Sequence, residues 1–377
     1  MPVLTLVSAL LHALVAWALL PPLMAGASGL PWAAGLVGAW LAASALLLPR
    51  AMRVREAHQG RRGLLMAWAA LLAMGAFSSL AVLSLARALG LGLLALGLAP
   101  AVPAAWVQGS ALAVPVLALL ATLAGAVNAR RTAAVKAVDV PVAGLPAALH
   151  GFTIAQISDL HVGPTIRADQ VRAVVERVNA LQADLVAITG DLVDGTVADL
   201  REHVAPLAAL RGRHGRFAVT GNHEYYSGGE AWVAEMRRLG LTVLMNEHVT
   251  LRHEGADLVL AGVADWSAHQ FVPAHRSDPV RALAGAPAEA TRVLLAHQPR
   301  SAAAAAEAGF HVQLSGHTHG GQFFPWNFFV RLQQPFTAGL NRVRQLQVYV
   351  SRGTGYWGPP KRLGAPSEIT YLRLVVA

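Results

Sequence analysis

Residues 314–322 read Leu-Ser-Gly-His-Thr-His-Gly-Gly-Gln, so His317 and His319 stand one residue apart between Gly316 and the pair Gly320-Gly321. On a strand that spacing puts both imidazoles on one face. The glycines favour a turn just past a strand end, where the two rings splay toward one point. That geometry suits metal ligation. An isolated His-x-His is also what a polar hairpin tip looks like, but further donors stand upstream: Asp159-x-His161, Gly190-Asp191, Gly221-Asn222-His223-Glu224 and His297, each after an apolar run. Asp159, His161, Asp191, Asn222, His297, His317 and His319 offer carboxylate, amide and imidazole atoms, and the chain has no cysteine. Such donors suit Mn, Fe, Zn or Mg rather than a thiolate zinc site, and seven are more than one tetrahedral ion needs. Two divalent ions sharing a bridging carboxylate fit the count. A pair about 3.5–4 Å apart clamps both oxygens of an in-line displacement and ionises a bridging water near neutral pH. With only two carboxylates the cluster stays cationic and attracts an anionic phosphate.

The elements that must position these donors are short. Apolar runs at 152–158, 184–189 and 216–220 read as strands, each ending at one donor group, and 169–181 and 230–239 have helical spacing. Strand, helix, strand predicts a parallel layer covered by helices, with the polar candidates gathered on one rim beyond the strand ends. Further strands at 242–245, 257–263, 292–296, 312–315, 346–350 and 368–376 are connected more tightly and predict a second, mixed sheet. The alanine run 302–306 reads as a helix. Asp184, Asp194 and Asp265 beside strand ends read as caps and turns ahead of residues that support the ligands or touch substrate, Asp265 being the strongest of the three for such a role; Glu224 and Arg352 are the other candidates for substrate contact. His203, His214, His248, His253, His269, His275 and His311 lack any motif context and read as surface or locally hydrogen-bonded groups. The aromatic stretch 323–330, immediately after the histidine pair, reads as core or as a loop dipping into a membrane interface. Lys361 and Arg362 read as a solvated basic face or a phosphate contact.

Taken in order, Asp159/His161, Gly190/Asp191, Gly221/Asn222/His223/Glu224, His297 and Gly316/His317/His319 resemble the calcineurin-like metallophosphoesterases, whose pattern is D-x-H, G-D, G-N-H-[D/E], H and G-H-x-H. The resemblance covers about residue 145 to the carboxy terminus. It implies a four-layer α-β-β-α sandwich. It also implies that Asp159, His161, Asp191 and His319 hold one metal, that Asp191, Asn222, His297 and His317 hold the other, and that His223 stabilises the transition state or protonates the leaving oxygen. The tail from Gly353 to Glu368 further resembles the membrane-linked bacterial branch of that family, which includes phosphodiesterases and UDP-diacylglucosamine hydrolase-like enzymes of lipid precursors.

The first third is of a different kind. No Asp, Glu, Lys or Arg occurs from Pro2 to Pro49, so this run cannot be a soluble surface. Spans are expected at about 3–20, 32–48, 64–85 and 105–127, with Pro21-Pro22 and 26–29 forming the first turn. Residues 88–103 read as an interfacial segment or as part of a longer third helix. Arginines 50, 53, 55, 61 and 62, and then Arg130, Arg131 and Lys136, flank spans on one side, whereas the third connection offers only Arg87. That bias predicts a cytoplasmic amino terminus and a cytoplasmic catalytic domain, on an integral inner or plasma membrane protein. The net charge of +9 is explained by lipid headgroups rather than nucleic acid. Apart from Arg87 the spans carry no Asp, Glu, Lys or Arg, which favours an anchor over a transporter. The expected organisation is a transmembrane helical region (1–130), a linker (131–150) and an α/β catalytic domain (151–377). The expected function is a membrane-anchored phosphohydrolase in which metal-bound hydroxide cleaves a phosphodiester or pyrophosphate in a lipid-linked substrate. The alternatives are a phosphomonoesterase on soluble or protein substrates and a catalytically silent receptor.

Overall fold

The computed structural model describes residues 2–25, 30–51, 60–97 and 102–377. Its contacts divide the chain into a helical unit, residues 1–130 with 358–363, and an α/β unit, residues 131–357 with 364–377.

In the helical unit the apolar stretches form α1 (Pro2–Met24), α2 (Pro31–Ala51), α3 (Gly60–Gly97) and α4 (Ala104–Arg130). At about 1.5 Å per residue each is long enough to cross the hydrocarbon of a bilayer. Neighbours in sequence pack together and α1 also packs on α4, enclosing Leu19, Leu41, Phe77, Leu80 and Val114. Leu14, Trp17, Leu36, Leu93 and Leu119 are exposed. A bundle apolar inside and out is built for lipid. The third helix is the longer one, reaching Gly97. Pro21 and Pro22 lie within α1 rather than in a turn; α1 continues for only two residues beyond them, so the bonds their missing N–H groups forfeit fall in its final turns. Residues 26–29, the other half of that expected turn, lie outside the described residues, as do Arg53 and Arg55.

Two polar knots sit inside this bundle. His12 accepts or donates at both nitrogens, to Ser8 O at 2.7 Å and Ser44 Oγ at 2.7 Å, and stacks on Phe77. Arg87 belongs to α3 rather than a connection, and donates to Ala18 O, Val107 O and Ser110 Oγ. The segment 358–363 supplies a third. Lys361 is 1% exposed, and its ammonium donates to Gly75 O, Ser79 Oγ and Thr122 Oγ1. It is therefore a packing element of the helical unit and not a phosphate contact. Gly125 makes room for it, since a Cβ there would fall 2.6 Å from Lys361 Cγ.

The α/β unit contains β1 (Ala134–Val142), β2 (Thr153–Ile157), α5 (Ala168–Asn179), β3 (Leu185–Thr189), α6 (Val197–Val204), β4 (Arg216–Val219), α7 (Asn222–Tyr226), α8 (Gly229–Arg238), β5 (Thr242–Val243), β6 (Glu247–His253) and β7 (Ala256–Gly262). It continues through α9 (Pro279–Ala282), β8 (Thr291–Leu295), α10 (Ala302–Glu307), β9 (Val312–Ser315), α11 (Trp326–Phe329), β10 (Gly339–Val343), β11 (Leu346–Val350) and β12 (Glu368–Val376). Two six-stranded sheets result, in the orders β1-β12-β2-β3-β4-β5 and β10-β11-β9-β8-β7-β6. In the first, β2 to β5 run parallel and β12 is antiparallel to β2; in the second, β7, β8, β9 and β11 run parallel between antiparallel edge strands. Ile154, Leu185, Phe217 and Val219 of the first sheet share a core with Leu260, Val293, Leu295, Leu314 and Tyr349 of the second. Val171, Val174, Val175 and Val178 form the buried face of α5, and Ala302 and Ala305 of α10 pack on Leu294 and Ala296. Helices thus cover the outer faces, and β2 and β3, covered on both, are buried at every position. The expected four-layer sandwich is present. Residues 131–150 are not a free linker, because β1 pairs along its whole length with β12.

Candidate metal centre

All the donors lie just past the carboxyl ends of β2, β3, β4, β8 and β9, and the backbone there is bent to aim them. Asp159, His161, Asp191, His317 and His319 all have left-handed φ, between 51° and 70°. For residues with a Cβ that conformation is costly, and its concentration at five of seven donors marks a site over-determined by its surroundings. Two glycines are dictated by close approach. A Cβ on Gly316 would lie 1.9 Å from Ser158 Oγ, and one on Gly221 would lie 2.2 Å from Asp191 Oδ1.

Ligand atoms of Asp159, His161 and His319 fall within 4.8 Å of one another, as do those of Asp191, His297 and His317. His161 Nε2 is 3.0 Å from His319 Nε2, His297 Nε2 is 3.2 Å from His317 Nδ1, and Asp191 Oδ2 is 3.1 Å from His297 Nε2 and 3.8 Å from His161 Nε2. Asp191 therefore stands between the two groups. Asn222 Oδ1 is buried without a hydrogen-bond partner among the described residues. Such an orphaned acceptor costs about 1–3 kcal/mol, a cost that a cation at that oxygen removes. The residues present fit two divalent cations.

The surrounding bonds fix which nitrogen faces inward. His297 Nδ1 lies 2.8 Å from Thr189 O, and a carbonyl can only accept, so Nδ1 carries the proton and Nε2 turns to the centre. His161 Nδ1 lies 3.0 Å from Asp194 Oδ1 and orients its ring in the same way. Asp159 is held by Ser158 Oγ and by the His317 amide at 2.9 Å. Burial opposes charge on Asp191, but His297, His223 and His161 outweigh it and hold its carboxyl well below the usual range. Burial likewise disfavours a charged His297, yet Asp191 and Asp159 raise its pKa well above the ordinary value. A place that holds a proton so firmly is one where a divalent cation would be welcome. His317 is pushed down to about 3, by burial and then by His297, and so keeps a free lone pair.

His223 Nδ1 lies 2.6 Å from the same Asp194 oxygen that orients His161. Burial lowers its pKa, but Asp191 and Asp194 prevail and raise it to about 9. Asp194, expected as a cap or turn ahead of a role behind the ligands or at the substrate, thus joins a metal-side histidine to the candidate acid. Nothing in its local sequence distinguishes it from a turn aspartate except its place three residues after Asp191. Glu224 differs from expectation in the other direction: it is 1% exposed, and its oxygens accept from the amides of Gly221, Asp191 and Leu192. Asp265 is fully buried and accepts from Ser267 and Gln298. Both shape the rim from within rather than face a substrate. Arg352 stays half-buried, 3.8 Å from Glu368 and against Gly320.

Around this rim aromatics gather. Tyr226 and Trp357 meet the His223 ring at 5.1 and 5.9 Å, and Phe271 meets Tyr226 at 5.5 Å; all three are partly exposed. In the stretch after the histidine pair Phe323 is buried, whereas Phe324, Trp326, Phe328 and Phe329 are exposed.

Comparison with known proteins agrees with this geometry. Residues 152–321 match the family described as calcineurin-like phosphoesterase. A bovine (Bos taurus) transmembrane protein with metallophosphoesterase domain is 42% identical over 278 residues, 71% of this chain and 62% of that protein. An uncharacterized metallophosphoesterase of Campylobacter jejuni is 34% identical over 69% of this chain and 68% of its own length, and one of Aquifex aeolicus is 34% identical over 59% of this chain and 84% of its own. The chain spans about 62% of the length of the bovine relative. With the five donor blocks gathered at one rim of a two-sheet sandwich and relatives of this similarity, the chain belongs to the calcineurin-like metallophosphoesterase family.

Proposed function

We propose that this protein is a membrane-embedded, two-metal phosphohydrolase that cleaves a phosphodiester or pyrophosphate bond in a lipid-linked substrate, with its catalytic unit on the cytoplasmic face. The observation that carries the chemistry is the convergence of two three-residue donor groups about Asp191, with the orphaned Asn222 oxygen beside them. When bound, two divalent cations supply Lewis acidity and an activated water for attack on phosphorus. The chain's own residues do the rest. Asp159, His161 and His319 would hold one ion, Asn222, His297 and His317 the other, and Asp191 would serve both. Asp194 orients His161 and His223 together, and His223 donates a proton to the departing oxygen. Arg352, whose stem lies against Gly320 of the histidine turn, is a candidate for a phosphate contact.

The lipid-linked class is supported by the aromatic rim. Exposed Phe and Trp side chains beside a polar catalytic centre suit a substrate with one apolar and one anionic end, in a chain that carries four membrane-length helices. Orientation is supported by Arg50, Arg61, Arg62, Arg130 and Arg131, which cluster at helix ends on one side of an up-and-down arrangement.

The test is hydrolysis of bis-p-nitrophenyl phosphate and p-nitrophenyl phosphate by the detergent-solubilised protein, after chelation and Mn re-addition. Diester cleavage that needs metal, and that falls about 10²–10⁴-fold in His223→Ala with metal content retained, is the expected result; Asp191→Asn should lose metal and activity together. Preference for the monoester would instead favour a phosphomonoesterase, and inactivity with every metal a binding role. For the lipid class, Phe324→Ser, Phe328→Ser and Phe329→Ser combined should slow a lipid-linked pyrophosphate in vesicles while sparing the soluble diester. Equal effects on both would remove that part of the proposal.

A further inference from the structure

The rim opposite the catalytic cluster carries its own set of donors. Asp184 precedes β3, His214 precedes β4 and His253 ends β6, at the strand ends away from Asp191, Asn222 and His297. A five-residue strand at about 3.3 Å per residue puts some 16 Å between the two rims. His214 Nε2 lies 2.9 Å from His253 Nδ1, and His253 Nδ1 lies 4.0 Å from Asp184 Oδ1. One ligand atom from each residue falls within 4.8 Å of the others. We propose that Asp184, His214 and His253 form a separate site for a single divalent transition-metal cation of the zinc type, clipping the two sheets together at that rim.

Four observations support it. Tetrahedral coordination at about 2.0–2.1 Å requires ligand atoms about 3.3 Å apart; the present separations are 2.9 Å for His214–His253 and 4.0 Å for His253–Asp184, and the third pair, His214–Asp184, lies within 4.8 Å. Asp184 is already oriented as a ligating carboxylate: Oδ2 accepts from the Thr153 amide at 2.9 Å and from Thr153 Oγ1 at 2.8 Å, leaving Oδ1 to face the histidines. The loop bearing His214 is tied to the same place by its amide, which donates to Asp184 O at 2.7 Å. Phe152 packs on both imidazole rings, giving the site an apolar floor. The competing contacts are Arg213, whose guanidinium lies 3.7 Å from Asp184 Oδ1, and Glu254, 3.9 Å from His253 Nε2. Arg213 is largely exposed and can swing out as the cation enters. Glu254 is placed to accept from the outer N–H of His253. Three protein donors leave a fourth position for water.

The test counts zinc in the full-length, detergent-solubilised protein after saturation and removal of excess metal. His214→Ala, at a half-exposed position, should bind one equivalent fewer than wild type while bis-p-nitrophenyl phosphate turnover is unchanged. His253→Gln should repeat the loss, and Asp191→Asn, which disables the other rim, should still lose one equivalent when His214→Ala is added. Wild-type zinc content in both His214→Ala and His253→Gln would overturn the proposal.

Discussion

One oxygen of Asp194 serves two imidazoles, His161 at 3.0 Å and His223 at 2.6 Å. Replacing it by the isosteric amide in Asp194→Asn removes the charge that orients both rings. Outer partners of this kind are worth about 10–100-fold in metal affinity or activity, so both metal content at limiting Mn and turnover should fall by that order. Retained metal with normal turnover would return Asp194 to an ordinary turn residue. The sequence could not mark it, since its partners lie 33 and 29 positions away and only the fold joins them. The ligands were legible because each stands at a strand end and all but His297 belong to a short motif. Glu224 shows the limit of such motifs: adjacency to His223 suggested substrate contact, yet its carboxylate accepts from three backbone amides. In Glu224→Gln the side-chain NH₂ must face one of those N–H groups. The expected loss is about 1–3 kcal/mol, read as a lower Tm in detergent, with catalysis falling only as the rim loosens.

At the scale of elements, β2 and β3 were readable because burial on both faces leaves uninterrupted apolar runs. By contrast β1, β6 and β10 expose alternate positions and carry Lys136, Asp139, Arg252 or Arg342, so their pairing with a neighbour, not their composition, makes them strands. The segment 358–363 is a stronger case, since nothing in Pro-Pro-Lys-Arg announces a piece of a membrane bundle. There Lys361 is held by Gly75 O, Ser79 Oγ and Thr122 Oγ1 on α3 and α4. Lys361→Met keeps the stem and removes the ammonium. Charge-assisted bonds are worth about 1.5–3 kcal/mol, so thermal unfolding in detergent should begin several degrees lower, by about 4 °C or more, with trypsin reaching this segment sooner. An unchanged Tm would mean that the stem, not the charge, does the anchoring.

For the molecule as a whole, the number of helices decides where chemistry happens. In the proposed topology four spans return the chain to its starting side, and the charges agree: Arg50, Arg61, Arg62, Arg130 and Arg131 stand at helix ends that would share one side, whereas the sequence 98–103 between α3 and α4 carries no charged group. Positive loops are retained in the cytoplasm, so under the proposed orientation the α/β unit would lie there and a lipid-linked substrate would reach it from the inner leaflet. The absence of cysteine makes this directly measurable. Glu289 is exposed on the α/β unit and Leu96 is 88% exposed near the end of α3; each can be converted in turn, as Glu289→Cys and Leu96→Cys, into the single thiol of the chain. A membrane-impermeant maleimide should label Leu96→Cys in intact cells and Glu289→Cys only in inverted vesicles. Labelling of Glu289→Cys from outside would reverse the topology. The substrate would then be sought in the outer leaflet, while the metal chemistry at the rim would stand as described.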